Sequence, residues 1–330
     1  MRAIAPGRVN LIGDHTDYTG GLVLPMAIDR ATEVSGEPGG AAVVLESTEV
    51  EGRAVVPLDV ADPSAVEPGW ARYVAGVVAE LRPVTGFRGV VRSDVAVGAG
   101  LSSSAALEVA VALALGFDGQ PLALARLCQR AEQRASGVPC GIMDQLASAA
   151  GVDGHALLID CTALTVEPVP LPPSVEVAVV HSGEERALAG SAYAERRARC
   201  EEAAGIVGPL RDATVDDVAA IDDPIVRRRA RHVVTENERV RRFADALWGG
   251  RLDEAGRLMV ESHVSLRDDF EVSTPGLDAL VERLLAIDGV LGARLTGAGF
   301  GGCVVALTRA GAAADVGGWT VRASAGARVI

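Results

Sequence analysis

The sequence predicts an α+β fold, on three observations. Strand-like runs crowd residues 1–60, longer helical patterns fill most of the second half, and the two do not alternate regularly as βαβ units would. A chain of 330 residues, 49% of them hydrophobic, can bury a full core and favours two domains sharing an interface. Aromatic residues make up 3%, so that core must be built of Val, Leu and Ala.

Taken in order, short strands are expected first, with apolar runs at Leu22–Ile28, Ala42–Leu45 and Ala54–Leu58. Trp70–Leu81 has helical spacing. Gly89–Val97 reads as a strand through Val90, Val91, Val95 and Val97, and Ala105–Leu115 as an apolar, Ala-rich helix. A second helix is expected over about 122–134 and a third from near Pro139. Strands return at His155–Asp160 and Val175–His181. The prolines between Pro168 and Pro173 suggest a turn or linker and divide the chain into domains 1–170 and 171–330. Helices are then expected near 191–206, 223–247, 251–266 and 275–286. Strands Gly292–Leu295 and Cys303–Leu307 flank the loop Thr296–Gly302.

The net charge of −13 argues against nucleic acid or an anionic membrane as the main partner. It leaves room for a local anion site built from arginines and helix ends. The chain contains no lysine, so all 31 basic residues are arginine. Five scattered cysteines with no Cys-x-x-Cys pair indicate neither a disulfide framework nor a zinc site. The N-terminal residues lack an apolar signal region, and the longest apolar stretch is interrupted by Glu108. A cytoplasmic protein is expected.

Four stretches carry chemistry. Gly98-Ala-Gly-Leu-Ser-Ser-Ser-Ala-Ala106 is a strand-to-helix turn with two glycines and three serines at the helix start. The first N–H groups of a helix have no internal partner and point outward with the positive end of its dipole, an arrangement that binds phosphate. The plain alternative is a serine N-cap on a core helix. It is not a Walker A loop, which requires a lysine. Gly7–Gly21 supplies Arg8, Asn10, Asp14, His15 and Asp17 inside an apolar frame of Val9, Leu11, Ile12 and Leu22–Leu24, where a charge must be paired or functional. Those side chains suit a polyhydroxylated ligand; a solvated turn is the bland reading. Asp144 sits among Ile142, Met143, Leu146 and Ala147, so it needs a partner such as Arg8, and a base beside a cation can take a proton from a sugar hydroxyl. A carboxylate complementing a helix dipole is the alternative for Asp144, and an exposed helix position the alternative for Glu132. The loop at 296–302 holds five Gly or Ala residues in seven, so it is either a tight hairpin or a place where backbone packs closely on something.

Together these segments resemble the GHMP small-molecule kinases, and within them the galactokinase branch. Gly7–Gly21 looks like that branch's signature, Gly98–Ala106 like the phosphate loop of the wider family, and Leu295–Cys303 like its third motif. The likeness continues in Trp70-Ala-Arg-Tyr73, Pro139-Cys-Gly-Ile-Met-Asp-Gln145, His155–Cys161, Tyr193-Ala-Glu-Arg-Arg197, Glu261–Asp269 and Gly326-Ala-Arg-Val329. It implies a ribosomal-protein-S5-like N-terminal domain and a ferredoxin-like C-terminal domain with the site between them. It implies transfer of the γ-phosphoryl of ATP, with Mg²⁺ as cofactor, to the anomeric hydroxyl of galactose. Asp144 would be the base and Arg8 would hold it ionised. Asp14, His15, Asp17 and Tyr193 would bind the sugar, with Gly141 packed nearby. Gly98, Ala99, Gly100, Leu101, Ser102 and Ser103 would wrap the phosphates, Trp70 and Tyr73 would lie near the adenine, and Ser104 and Glu132 would hold the metal. The partners implied are a sugar and ATP, with no nucleic acid and no membrane, on a monomer or weak dimer. Neighbouring readings are a kinase of the same family for another sugar or a cyclitol, and a regulator that binds ATP and sugar without turnover.

Three departures bear on these implications. The branch usually has glutamate where this chain has Asp14, and a basic residue where it has Glu185. The chain is also shorter between Leu307 and Val321. Aspartate draws the carboxylate back by about one carbon–carbon bond, ~1.5 Å. A hydroxyl bonded directly to glutamate then falls out of range, and a hydrogen bond to a charged group is worth on the order of 1.5–3 kcal/mol. Asp14→Glu is therefore expected to lower the KM for galactose about ten- to a hundredfold, read from initial rates. A higher KM would mean that the cavity has been rebuilt around aspartate.

Overall fold

The computed structural model describes residues 1–96, 98–184 and 189–330, the side chains of 189–191 excepted. The expected strand residue Val97 and the departure at Glu185 lie outside the described residues. The chain opens with β1 (Arg2–Asn10), β2 (Leu22–Val23), β3 (Pro25–Pro38), β4 (Ala42–Ser47) and β5 (Arg53–Pro57), then α1 (Ala71–Leu81) and β6 (Phe87–Ser93). Next come α2 (Ser103–Ala114), α3 (Pro121–Ser136) and α4 (Met143–Ala150), followed by β7 (His155–Asp160), β8 (Thr165–Pro170) and β9 (Val175–His181). Five helices follow: α5 (Ala189–Val207), α6 (Val215–Ala219), α7 (Pro224–Trp248), α8 (Leu252–Asp268) and α9 (Pro275–Leu285). The chain closes through β10 (Val290–Thr296), β11 (Cys303–Arg309), α10 (Ala313–Val316), β12 (Trp319–Val321) and β13 (Arg328–Val329).

This is the expected α+β architecture. A mainly antiparallel sheet has the order β13-β1-β3-β6-β4-β5, a second β10-β11-β9-β12, and a small third β2-β7-β8. In β5, exposed and buried residues alternate, so one face of the first sheet meets α1, α2 and α3 through Val43, Leu45, Val56, Phe87, Val77 and Val109. The second sheet is covered on one side by α5, α7, α8 and α9. A further apolar cluster joins the two: Val9, Leu11, Leu24 and Met26 pack with Val240, Phe243, Leu258, Val179 and Val305. Helix α8 can press on β10 because both faces carry glycine: a Cβ on Gly256 would lie 2.0 Å from the Leu291 carbonyl oxygen.

Beyond shifts of one to a few residues at several element ends, three differences from the sequence reading have a local reason. The strand expected at 89–97 ends at Ser93, because the Asp94 side chain takes the Ala31 N–H (2.6 Å) in place of a ladder bond, and Val95 turns into the other core. Helix α4 starts at Met143, not Pro139, because side chains of Gln129 and Gln133 on α3 donate to the Cys140 carbonyl and hold that stretch as a loop. The proline-rich stretch contributes the unexpected β8, which lies at the edge of its sheet, where proline is tolerated. The segment between Leu307 and Val321 holds only the end of β11, the short α10 and the start of β12. Among the described residues no helix is long and apolar enough to cross a membrane.

Candidate active site

Strand β1 carries a register shift between Pro6 and Arg8 where it pairs with β3. Such a bulge re-aims a side chain, and here the re-aimed residue is Arg8. Its guanidinium makes a two-pronged contact with Asp144 in the first turn of α4, Nε to Oδ1 at 2.7 Å and Nη2 to Oδ2 at 2.6 Å. Nη1 donates to the Gly100 carbonyl (2.7 Å), and the Arg8 backbone N–H donates to the Leu101 carbonyl (3.1 Å). One arginine thus ties the first sheet, the 98–104 loop and α4 together. Asp144 also complements the α4 dipole, so the plain reading and the pairing with Arg8 hold at once.

In the 98–104 loop, Gly98 and Gly100 take positive φ, and so does Ser102, a strained choice for a residue with a Cβ. Ser102 stands at the cap position of α2, yet its hydroxyl donates to Asp144 Oδ2 (2.5 Å) and makes no capping bond. One turn on, Ser104 Oγ donates to Glu132 Oε1 (2.9 Å), bringing the two expected metal ligands together. Glu132 is half-buried on the site side of α3, which removes the exposed-helix alternative. Burial and the nearby Asp144 push its carboxyl up to about 7.

On the other side of Asp144 stand Asp14, His15, Asp17, Gly141 and Tyr193. Asp14 is buried; its Oδ1 accepts the Gly297 N–H (2.9 Å), and Arg294 Nη2 lies 2.6 Å from Oδ2. That approach is off the N–H direction, so the contact is an ion pair more than an aligned hydrogen bond. Burial pushes the Asp14 carboxyl up and Arg294 pulls against it. His15 is held between the Tyr18 hydroxyl (Nδ1, 2.9 Å) and the Ala298 carbonyl (Nε2, 3.1 Å), and burial drives its pKa down to about 3, so the ring is neutral. The 296–302 loop is therefore both a hairpin and a close backbone contact. Asp17 faces the cavity against Gly141, where a Cβ would lie 1.8 Å from Oδ2; any side chain there would displace the carboxylate. Burial and the Asp144 charge push Asp17 up to about 7.

Two cavities meet here. One of about 240 Å³ is lined by Asp14, His15, Asp17, Gly141 and Tyr193; one of about 500 Å³ is lined by Trp70, Gly98, Gly100 and Ser102–Ser104. Arg8, Tyr73, Glu132 and Asp144 line both. Ala99 and Leu101, expected at the phosphates, instead bury their side chains in the apolar core and leave only their backbone to the loop. The sequence reading missed Arg294, Gln145 and Glu108. Glu108 did leave a signal, a carboxylate in an apolar helix, and Arg294 sat in the expected strand before the Gly-rich loop.

The donors fit a hard cation, since Ser104 and Glu132 offer oxygen only.

Comparison with known proteins agrees with this geometry. The galactokinase galactose-binding signature matches residues 1–38, the GHMP kinases N-terminal domain 72–152 and the GHMP kinases C-terminal domain 242–317. Human galactokinase is 49% identical over 329 residues, covering 94% of this chain and 84% of that protein. The galactokinase of Roseiflexus sp. (strain RS-1) is 47% identical over 325 residues, covering 92% and 82%. Among solved structures, Lactococcus lactis galactokinase complexed with galactose superposes with a TM-score of 0.90 at 32% identity, covering 99% of this chain and 94% of that one. Methanococcus jannaschii mevalonate kinase, at 0.72 and 19% identity with 98% of each chain covered, shares the fold.

The Asp14–Arg294 pair generates a stability prediction. Removing one partner of a buried ion pair leaves a charge uncompensated, at a cost of about 3–5 kcal/mol. Arg294→Met should lose stability of that order in urea titrations, and adding Asp14→Asn should recover part of it. A neutral Arg294→Met would show that the pair contributes nothing to folding.

Proposed function

This chain belongs to the galactokinase family of GHMP kinases, and from that premise we propose that it transfers the γ-phosphoryl group of ATP to the anomeric hydroxyl of galactose. The observation that carries the reading is the shared wall. A small cavity lined by hydrogen-bonding side chains and a larger one lined by a Gly- and Ser-rich loop meet at Arg8 and Asp144. A sugar in the first and a triphosphate in the second would bring acceptor and donor together beside a carboxylate. The two domain models fall on either side of residue 170, which supports the division into 1–170 and 171–330.

Asp144 is the proton acceptor. Its Oδ2 already takes bonds from Arg8 and Ser102, whereas Oδ1 takes one from Arg8 and keeps a lone pair for the incoming hydroxyl proton. Arg8 pairs with that carboxylate and lies where negative charge passes between the substrates. Asp14, His15, Asp17 and Tyr193 orient the sugar, and the N–H groups opening α2 with the hydroxyls of Ser103 and Ser104 face the phosphates. Ser104 and Glu132 hold Mg²⁺, which neutralises phosphate charge when bound. With little covalent chemistry asked of the protein, positioning and charge stabilisation suffice.

Two measurements test these roles. Asp144→Asn should retain ATP binding and lose turnover by about 10²–10⁴-fold or more, in a coupled ADP-release assay with galactose. Full activity would remove Asp144 from the mechanism. The second is a pH dependence. The Asp17 carboxyl is raised to about 7, so as pH falls through that value the carboxylate that accepts from sugar hydroxyls becomes protonated. At saturating Mg-ATP, the KM for galactose should rise as pH drops below about 7, and Asp17→Asn should flatten the profile. An unchanged profile in that variant would assign the dependence to another group.

A further inference from the structure

Glu108 lies in the middle of α2, fully buried, with no arginine or histidine among the described residues bonded to it. The described structure gives it one partner: Gln145 Nε2 donates to its Oε2 (3.2 Å). The same nitrogen donates to Glu132 Oε2 (2.5 Å), and Ser104 holds the other Glu132 oxygen. Facing the Glu132 carboxylate, the Gln145 amide presents its NH₂ group to it. Two buried atoms of this cluster lack a partner, Glu108 Oε1 and Gln145 Oε1, and both are acceptors. An isolated carboxylate in an apolar interior is so costly that it takes a proton instead. A single proton on Glu108 would make Oε1 a donor, and Gln145 Oε1 is the orphaned acceptor it could serve.

We propose that Glu108, as a neutral carboxylic acid, and Gln145 close an acid–amide ring that aims the second Gln145 N–H at Glu132 and so fixes the carboxylate that receives the metal. This rests on Glu132 as the Mg²⁺ ligand. Glu108 touches no substrate and acts through Gln145, so it is a positioning residue. The ring stops the amide from flipping. Without it, the Gln145 carbonyl can turn toward Glu132 and repel the oxygen it now holds. A glutamine at 108 reproduces the ring, since its NH₂ replaces the acid O–H and its carbonyl accepts from Gln145. A methionine of similar length does not.

The test uses the whole protein with Mn²⁺ as probe, its binding in the presence of ADP read by electron paramagnetic resonance. Glu108→Met should weaken Mn²⁺ binding about tenfold or more, the usual loss when a ligand's supporting partner is removed, whereas Glu108→Gln should keep it. Loss in both variants, or in neither, overturns the proposal. Isotope-edited infrared spectroscopy gives a readout free of metal and activity. The wild type should show a neutral carboxyl band that Glu108→Gln abolishes, and its absence from the wild type overturns the ring even where Glu108→Met fails to fold. Glu132→Gln separates the premise: unchanged Mn²⁺ binding there removes the metal reading and the positioning role with it, while the infrared band reports on the ring alone.

Discussion

The contact between Arg8 and Asp144 is the constraint on which the rest of the site depends. Arg8 issues from a strand, Asp144 from the first turn of a helix, and the 98–104 loop hangs on the same arginine, its Gly100 carbonyl on the guanidinium and its Leu101 carbonyl on the backbone N–H. Geometry makes this possible at two points. The β1 bulge turns Arg8 out of the ladder, and Gly7 beside it lets the loop come close, since a Cβ there would lie 2.7 Å from the Leu101 oxygen. Removing either partner would leave a charge stranded in the protein interior as well as a hole in the chemistry. The same pair therefore fixes where the 98–104 loop sits and, in the proposed mechanism, where the proton goes.

Around this pair the charge balance is negative. Asp14, Asp17, Glu132 and Asp144 stand within the two cavities, opposed by Arg8 and by Arg294 behind Asp14. The excess shows in Asp17 and Glu132, both raised to about 7 by burial and by Asp144. A triphosphate entering such a site adds more negative charge, so the nucleotide must bring a cation with it. A sugar brings no charge and only hydroxyls, which suit the carboxylates on its side.

Much of this was legible in the sequence because it was local. Arg8, Asp14, His15 and Asp17 fall within one short segment, and the phosphate loop is contiguous from Gly98 to Ser104, so composition and order expose them. Asp144 was legible as a carboxylate among apolar neighbours, and its partner could be guessed because burial demands one. What stayed hidden is tertiary. Nothing near Arg294 says that its charge is answered by Asp14, far away in the chain. Glu108 reads as a mere interruption of an apolar helix until Gln145 and Glu132 are seen beside it. Ser102 reads as a cap and turns out to bond Asp144, because its positive φ swings the hydroxyl off the helix axis. Helix and strand limits slipped for the same reason: side chains of Asp94, Gln129 and Gln133 took over backbone bonds that propensity cannot foresee.

The two sides of the site also differ in what holds them. On the phosphate side, the loop, α2, α3 and α4 all come from the first 150 residues and are bonded to one another. On the sugar side, the 11–22 segment is pinned by helix α7 from the second half. Glu236 accepts the Gly13 N–H (3.0 Å), Asn237 accepts the Leu22 N–H (2.7 Å), and His232 contacts the Asp14 carbonyl (3.1 Å). Arg294 and Gly297 then hold the Asp14 carboxylate from β10 and the loop after it. None of α7's three residues is among those lining the sugar cavity, yet each fixes backbone that carries a lining residue. Their buried polar groups satisfy two loop N–H groups and one carbonyl that would otherwise be unpaired, so the loop conformation and the docking of α7 stabilise each other. Phosphate-side geometry is thus a property of the first half of the chain, and sugar-side geometry a property of how the two halves meet.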